Sequence, residues 1–347
     1  MSYRQSITNT NDTGAGSLRQ VVADQPNEPR AVPARLTFTA SGVIPMASPL
    51  VLDKSQMVIS GGSQQVVLAS TYDTAGGYIL PAAASGISLQ HLAVDMHAST
   101  GAGSGLLVGD GTSGLDQPYT NFTAKHCFIQ GNGNDALGIV GRTRGLIYFE
   151  YCTFCGLNGD KSSLLAALPD YTSNPRVHVV FKHCLFYGGR RIPDITMGVV
   201  SLLGCVIVQR WQSGRMEAGA RVNLVNNWMM SPNGGGHDVT PIGIPSWNPA
   251  YNGETLQDGA IYSRGNMLDG RDEADVGSNM YHYINGDGPV AASTFRSTPW
   301  GALPSVPDAA TSRQLTLAYA GCYRNRSTND AAVIAMSAFR RPGSSGG

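Results

Sequence analysis

Blocks of alternating apolar and polar residues recur through the middle of the chain. They read NFTAKHCFI at 121–129, LIYFEYCTF at 146–154, HVVFKHCLF at 178–186, VVSLLGCVI at 199–207 and RVNLVNNWM at 221–229. Each alternates, reaches Cys or Asn at its seventh position, and closes on an apolar residue. Alternation of this period marks a strand with one buried side. ISLQHLAVD at 87–95 and AIYSRGNML at 260–268 are looser copies. The seventh-position residues Cys127, Cys152, Cys184, Cys205 and Asn227 stand 25, 32, 21 and 22 residues apart. A repeated strand at that period, with Gly-rich connections, predicts a solenoid of β-coils. A sandwich would place turn signals every ~8–12 residues instead.

Equivalent residues of stacked coils lie ~4.8 Å apart. The seventh position then becomes an internal ladder of thiols and amides, which suits a dry interior. Cys152 and Cys155 form a lone C-x-x-C with no second pair at metal-like spacing, so the cysteines predict neither a zinc site nor a disulfide framework. His126 and His183 occupy the sixth position and are expected to be structural; Trp211 and Trp228 suit either a core or a carbohydrate platform. SLRQVVAD, with Ser17 as N-cap, is the best short helix and would close the open end of the solenoid. The expectation is one all-β domain over 1–347: N-terminal cap and first coils at 1–60, central coils at 61–230, a long loop and C-terminal coils at 231–340, and a flexible tail at 341–347.

Composition narrows the classes. Asp outnumbers Glu 19 to 5 and Arg outnumbers Lys 20 to 4. With only nine Glu and Lys residues to cover exposed helix faces, a mostly helical protein or a coiled coil is excluded. The formal net charge is zero, which gives no global attraction to nucleic acid or to an anionic membrane. No run approaches the ~20 apolar residues of a membrane span. The opening MSYRQSITNTND lacks the apolar stretch of a secretion signal. An extracellular protein is expected, either one whose signal has been removed or a virion component released by lysis.

Charged residues cluster just past three successive repeats. Asp135 follows Cys127 by eight residues, and Asp160, beside Lys161, follows Cys152 by eight. Arg190, Arg191 and Asp194 follow Cys184 by six, seven and ten. If the coils are in register, carboxylates one coil apart lie ~5 Å from each other. Such a column could hold Ca²⁺, act as the carboxylate pair of a retaining glycosidase, or be a ladder of compensating surface charges.

The order of motifs over residues 6–230 resembles the pectate lyase superfamily, right-handed parallel β-helices of polysaccharide lyase family 1. ITNTNDTGAGSLRQVV followed by LTFTASGVI looks like its N-terminal signature, FTAKHCFI like its Asp-His-Cys strand, and VVFKHCLFYGGRRIP like the coil bearing its Arg-x-Pro motif. The resemblance implies an acidic polysaccharide as partner, β-elimination as chemistry, Arg191 as base and Lys161 as a substrate-binding cation. Arg190, Asp135, Asp160, Lys125 and Asp194 would line the substrate site. Two positions depart from the pattern. The family's second Arg falls on Thr196, and Lys125 stands where the family has a Ca²⁺-ligand Asp. Lys125 cannot ligate calcium but could supply a positive charge in its place, so Ca²⁺ is a conditional cofactor. The alternative is a phage tail fibre or tailspike that binds or depolymerises a host glycan, as a homotrimer or anchored to other virion proteins. Neither reading calls for nucleic acid or membrane insertion.

Overall fold

A computed structural model describes residues 3–26, 32–70, 79–80, 85–96, 105–108, 121–131, 136–139, 145–156, 164–166, 177–188, 192–195, 198–208, 213–216, 220–230, 242–244, 250–251, 254–255, 260–273, 281–283 and 295–338. Each central coil contributes one strand to each of three sheets. In the coil of Cys127 these are Phe122–Lys125, Phe128–Gly131 and Leu137–Ile139. The next coil repeats them as Gly145–Glu150, Thr153–Gly156 and Leu164–Ala166. The first and second sheets have ten strands each and the third has seven. Within these three sheets the described neighbours pair parallel except Arg271–Asp272, which closes the second sheet antiparallel. The fold is a parallel β-helix, as the repeats predict.

Register explains the sequence pattern. In the first sheet Ile87, Phe122, Ile147, Val179, Val200, Val222 and Ile261 are consecutive partners, and all are buried. Aromatic side chains stack inside. Phe149 lies on Phe181 with centroids 4.9 Å apart, and Phe154 on Phe186 at 5.2 Å. Phe122, Phe149, Phe154, Phe181 and Phe186 are fully buried in this interior, and each such side chain contributes roughly 1.5–3 kcal/mol through its burial.

From His91 onward the corner between the first and second sheets is two residues long. Its first residue takes a left-handed backbone in seven successive coils: His91, His126, Tyr151, His183, Gly204, Asn226 and Gly265 have φ between 50° and 67°. The sign of φ throws this side chain outward. The next residue turns inward, and Leu92, Cys127, Cys152, Cys184, Cys205, Asn227 and Asn266 form the buried ladder. All six cysteines are free and buried. Asn227 accepts from the Cys205 N–H at 2.8 Å and donates to the Leu202 carbonyl and to Asn266 Oδ1, both at 2.9 Å.

Helix α1, Leu18–Ala23, is capped by Ser17 and buries Leu18, Val21 and Val22 over the first coil, as expected. Two further helices are not legible in the pattern: α2, Ala309–Tyr319, and α3, Thr328–Ala338. With residues 295–308 they form a strap running back along the solenoid. Trp300 exchanges backbone hydrogen bonds with the Asn223 amide. Asn226 donates to the Val306 and Pro307 carbonyls. Asn325 donates to Ser63 and Gln65 to Arg326, so the strap reaches from the last coils to the second. It covers the outer side of the second sheet, where Ala93, Phe128, Leu185, Val206 and Trp228 join Ala320, Cys322 and Val333 in a separate apolar cluster. Trp228 is thus core; Trp211 lies outside the described residues.

Candidate functional site

Asp135, Asp160, Lys161, Arg190 and Arg191 lie outside the described residues, but the strands bracketing them are described. Gly131, Gly156 and Gly188 are register partners at the ends of three successive second-sheet strands. The chain next enters the third sheet at Leu137, Leu164 and Ile192. The candidate residues therefore belong to the same connection of three consecutive coils. Asp194 is in the third sheet itself. Its register partners are Leu165 on one side and Arg215 on the other, and Arg215 in turn pairs with Gly243. Arg215 was missed in the sequence because QSGRM carries no alternation. Its place in the row of Asp194 is visible only through register.

Lys125 is not brought to that edge. It ends the first-sheet strand Phe122–Lys125, directly before the His126 corner, and the second-sheet strand Phe128–Gly131 separates it from the connection that carries Asp135. Four extended residues span about 13 Å. The Lys125 ammonium lies 2.8 Å from Glu150, whose other carboxylate oxygen is 3.3 Å from Lys182. The three are register partners in successive coils. Burial alone would raise the Glu150 carboxyl; the two lysines outweigh it and hold the group below its ordinary range. Beside it, burial and then the Glu150 charge push the Tyr148 phenol above its ordinary value. The sign alternation was readable as the fifth repeat position, Lys-Glu-Lys, in a chain with four lysines.

The sixth-position side chains form an outer stack. His91, His126, Tyr151 and His183 are successive near-parallel rings with centroids 5.0–5.2 Å apart. The strap seals them: His126 Nδ1 is 2.9 Å from the Tyr319 carbonyl, and Tyr323 tilts against His91 and His126. Burial, the neighbouring His126 and Arg324 lower His91 to about 4. His126 and His183 are therefore structural corner residues, as expected. Among the described residues, no group of three His, Cys, Asp or Glu side chains is placed to hold a metal ion.

No protein-family model and no curated protein matches the chain. Solved structures do. A doubly substituted pectate lyase from Xanthomonas campestris superposes with a TM-score of 0.57 at 13% identity, over 93% of this chain and 95% of that one. A pectate lyase from Bacillus sp. N165, solved in complex with trigalacturonate, gives 0.55 at 13% identity, over 92% and 93%. The cedar pollen allergen jun a 1 gives 0.55 at 14% identity, over 92% and 88%. The chain thus has the right-handed parallel β-helix fold of the pectate lyases. At these identities the shared property is the fold, and chemistry must be argued from the residues.

Proposed function

We propose that the protein binds an acidic, uronate-containing polysaccharide along the edge where the second sheet passes to the third, and cleaves it by β-elimination. The observation that supports this reading is that the described strands before and after Asp135, Asp160-Lys161 and Arg190-Arg191 in the sequence belong to three successive coils. Arg215 is the register partner of Asp194 one coil on.

In the reaction Arg191 removes the proton α to the uronate carboxylate. The bond from the neighbouring carbon to the glycosidic oxygen then breaks, a carbon–carbon double bond forms, and the leaving oxygen takes up a proton. A guanidinium has an ordinary pKa above ~12, so Arg191 needs neighbouring cations to make its neutral form reachable. Lys161 and Arg190 provide them, and Lys161 also neutralises the substrate carboxylate, which acidifies the proton to be removed. Such polysaccharides lie outside cells, and an extracellular site of action follows from the same proposal.

The test is ultraviolet absorbance of unsaturated uronate products. Polygalacturonate, methylated pectin, alginate and a bacterial capsule preparation would each be run with Ca²⁺ and with chelator, beside Arg191→Ala. Absorbance rising with the parent protein and absent with the variant supports elimination. Reducing ends released without absorbance would overturn it in favour of hydrolysis by the Asp135 and Asp160 carboxylates. A trimer by mass photometry would favour the tail-fibre alternative.

A further inference from the structure

The outer side of the second sheet is closed by the strap, and Trp300 closes the first sheet over Ser201 and Asn223, both fully buried. Between these covers, among the described residues, the first sheet keeps Lys125 and Lys182 partly exposed, though Val180 is buried. Its outer rows there are Thr123, Tyr148 and Val180, then Lys125, Glu150 and Lys182, with Leu146 at the start of the middle strand 46% exposed. Lys125 keeps 41% of its side chain exposed and Lys182 keeps 23%, against 17% for the Glu150 between them.

This window carries a charge excess. Two of the chain's four lysines share one carboxylate, so among the described residues the cluster sets two ammonium groups against one carboxylate, on a molecule whose formal net charge is zero. The carboxylate offers one oxygen to each lysine, and each ammonium has three donors, so one carboxylate oxygen does not use up the donors of either lysine. The two lysines are two coils apart, about 10 Å along the solenoid axis. The Lys125 ammonium also lies 5.9 Å from the Tyr148 ring centroid, and a half-buried ring beside cations offers a face for a sugar.

We propose that this window of the first sheet, centred on Lys125 and Lys182, is a non-catalytic holding site for a linear anionic glycan lying along the solenoid axis. It shares the substrate class of the reading above and rests on it to that extent, but it is a different surface, one sheet away from Arg191. Charge complementarity commits it to a polyanion. Glu150 sets its strength, because it spends half of the positive charge internally.

Affinity electrophoresis in gels containing polygalacturonate or alginate, with dextran as the neutral control, tests it. The double variant Lys125→Gln/Lys182→Gln should lose retention roughly five- to tenfold at low salt, since each exposed ion pair contributes a small factor. Glu150→Gln should gain retention, an outcome that a merely structural ladder would not produce. Added salt should erase both differences. Thermal melts of each variant confirm that it is folded. Unchanged retention of both the lysine pair and Glu150→Gln, with the parent retained, would overturn the holding site and leave the cleavage site standing. No retention and no cleavage of any acidic glycan by the parent would overturn both.

Discussion

Asn227→Leu isolates what the polar end of the internal ladder does. The side chain is fully buried. It satisfies the Cys205 N–H at 2.8 Å and the Leu202 carbonyl at 2.9 Å, and it donates to Asn266 Oδ1. Leucine has the same number of side-chain heavy atoms, branched at the same carbon, so no cavity is left. The two backbone groups lose their side-chain partner at about 1–3 kcal/mol each. Leucine returns about 1–2 kcal/mol through its own burial. The expected net loss is about 3 kcal/mol. Asn227→Cys should fall between parent and leucine, because the four preceding coils carry Cys here and its thiol can still donate to a carbonyl, as Cys205 does to Phe181 at 3.4 Å. Urea unfolding followed by far-ultraviolet circular dichroism reads the differences. A leucine variant within about 0.5 kcal/mol of the parent, or above the cysteine variant, would refute the claim that the amide is there to satisfy the corner backbone.

The strap seam holds two groups whose proton linkages oppose each other. His91, lowered to about 4 from 6.5, adds stability that is complete above 6.5 and is lost as pH falls toward 4. Burial raises Asp330 to about 6 from 3.8 despite Arg326, so its contribution is complete below 3.8 and is lost as pH rises through 6. The parent should therefore hold a nearly level stability between pH 4 and 6.5. His91→Phe should gain stability on acidification and Asp330→Asn should lose it, and parallel slopes for the two in urea titrations would reject this account. Gly204→Ala should loosen the strap: φ is 62° there, and an added Cβ would come within 2.7 Å of Ser312 Oγ and 2.8 Å of His183 Nδ1. Amide exchange across 309–338 should accelerate more in that variant than exchange in the first sheet, and uniform acceleration would argue otherwise.

The coils were legible because burial of one strand side imposes a period of two, and the corner imposes a second constraint at positions six and seven. Asn and Gly at position six are ordinary signs of a left-handed backbone; Tyr151 and the histidines hid the same corner because their identity reflects stacking under the strap. The strap itself was illegible for a physical reason. Its helices bury Ala309, Ser312 and Thr316, and Asp330, Val333 and Ser337, so neither shows the apolar stripe that marks a packed helix. The Lys-Glu-Lys row could be seen in the aligned repeats, whereas the partnership of Asp194 with Arg215 depends on a register that no alternation announces. Lys125 entered the candidate site through motif resemblance, and the second-sheet strand Phe128–Gly131 stands between it and the connection that carries Asp135.

A solenoid held only by contacts between adjacent coils behaves as a chain of links, free to fray from either end. The strap changes the mechanics. Asn226 and Asn223 grip it near one end, Ser63 and Gln65 near the other. A pull along the axis is then carried by two members in parallel, the hydrogen-bonded stack and the covalent backbone of residues 295–338. The stack cannot open at one coil without also tearing the strap from several others, so load and thermal fluctuation alike are shared along the length of the molecule. A binding face laid along that axis keeps its spacing when a long polymer tugs on it.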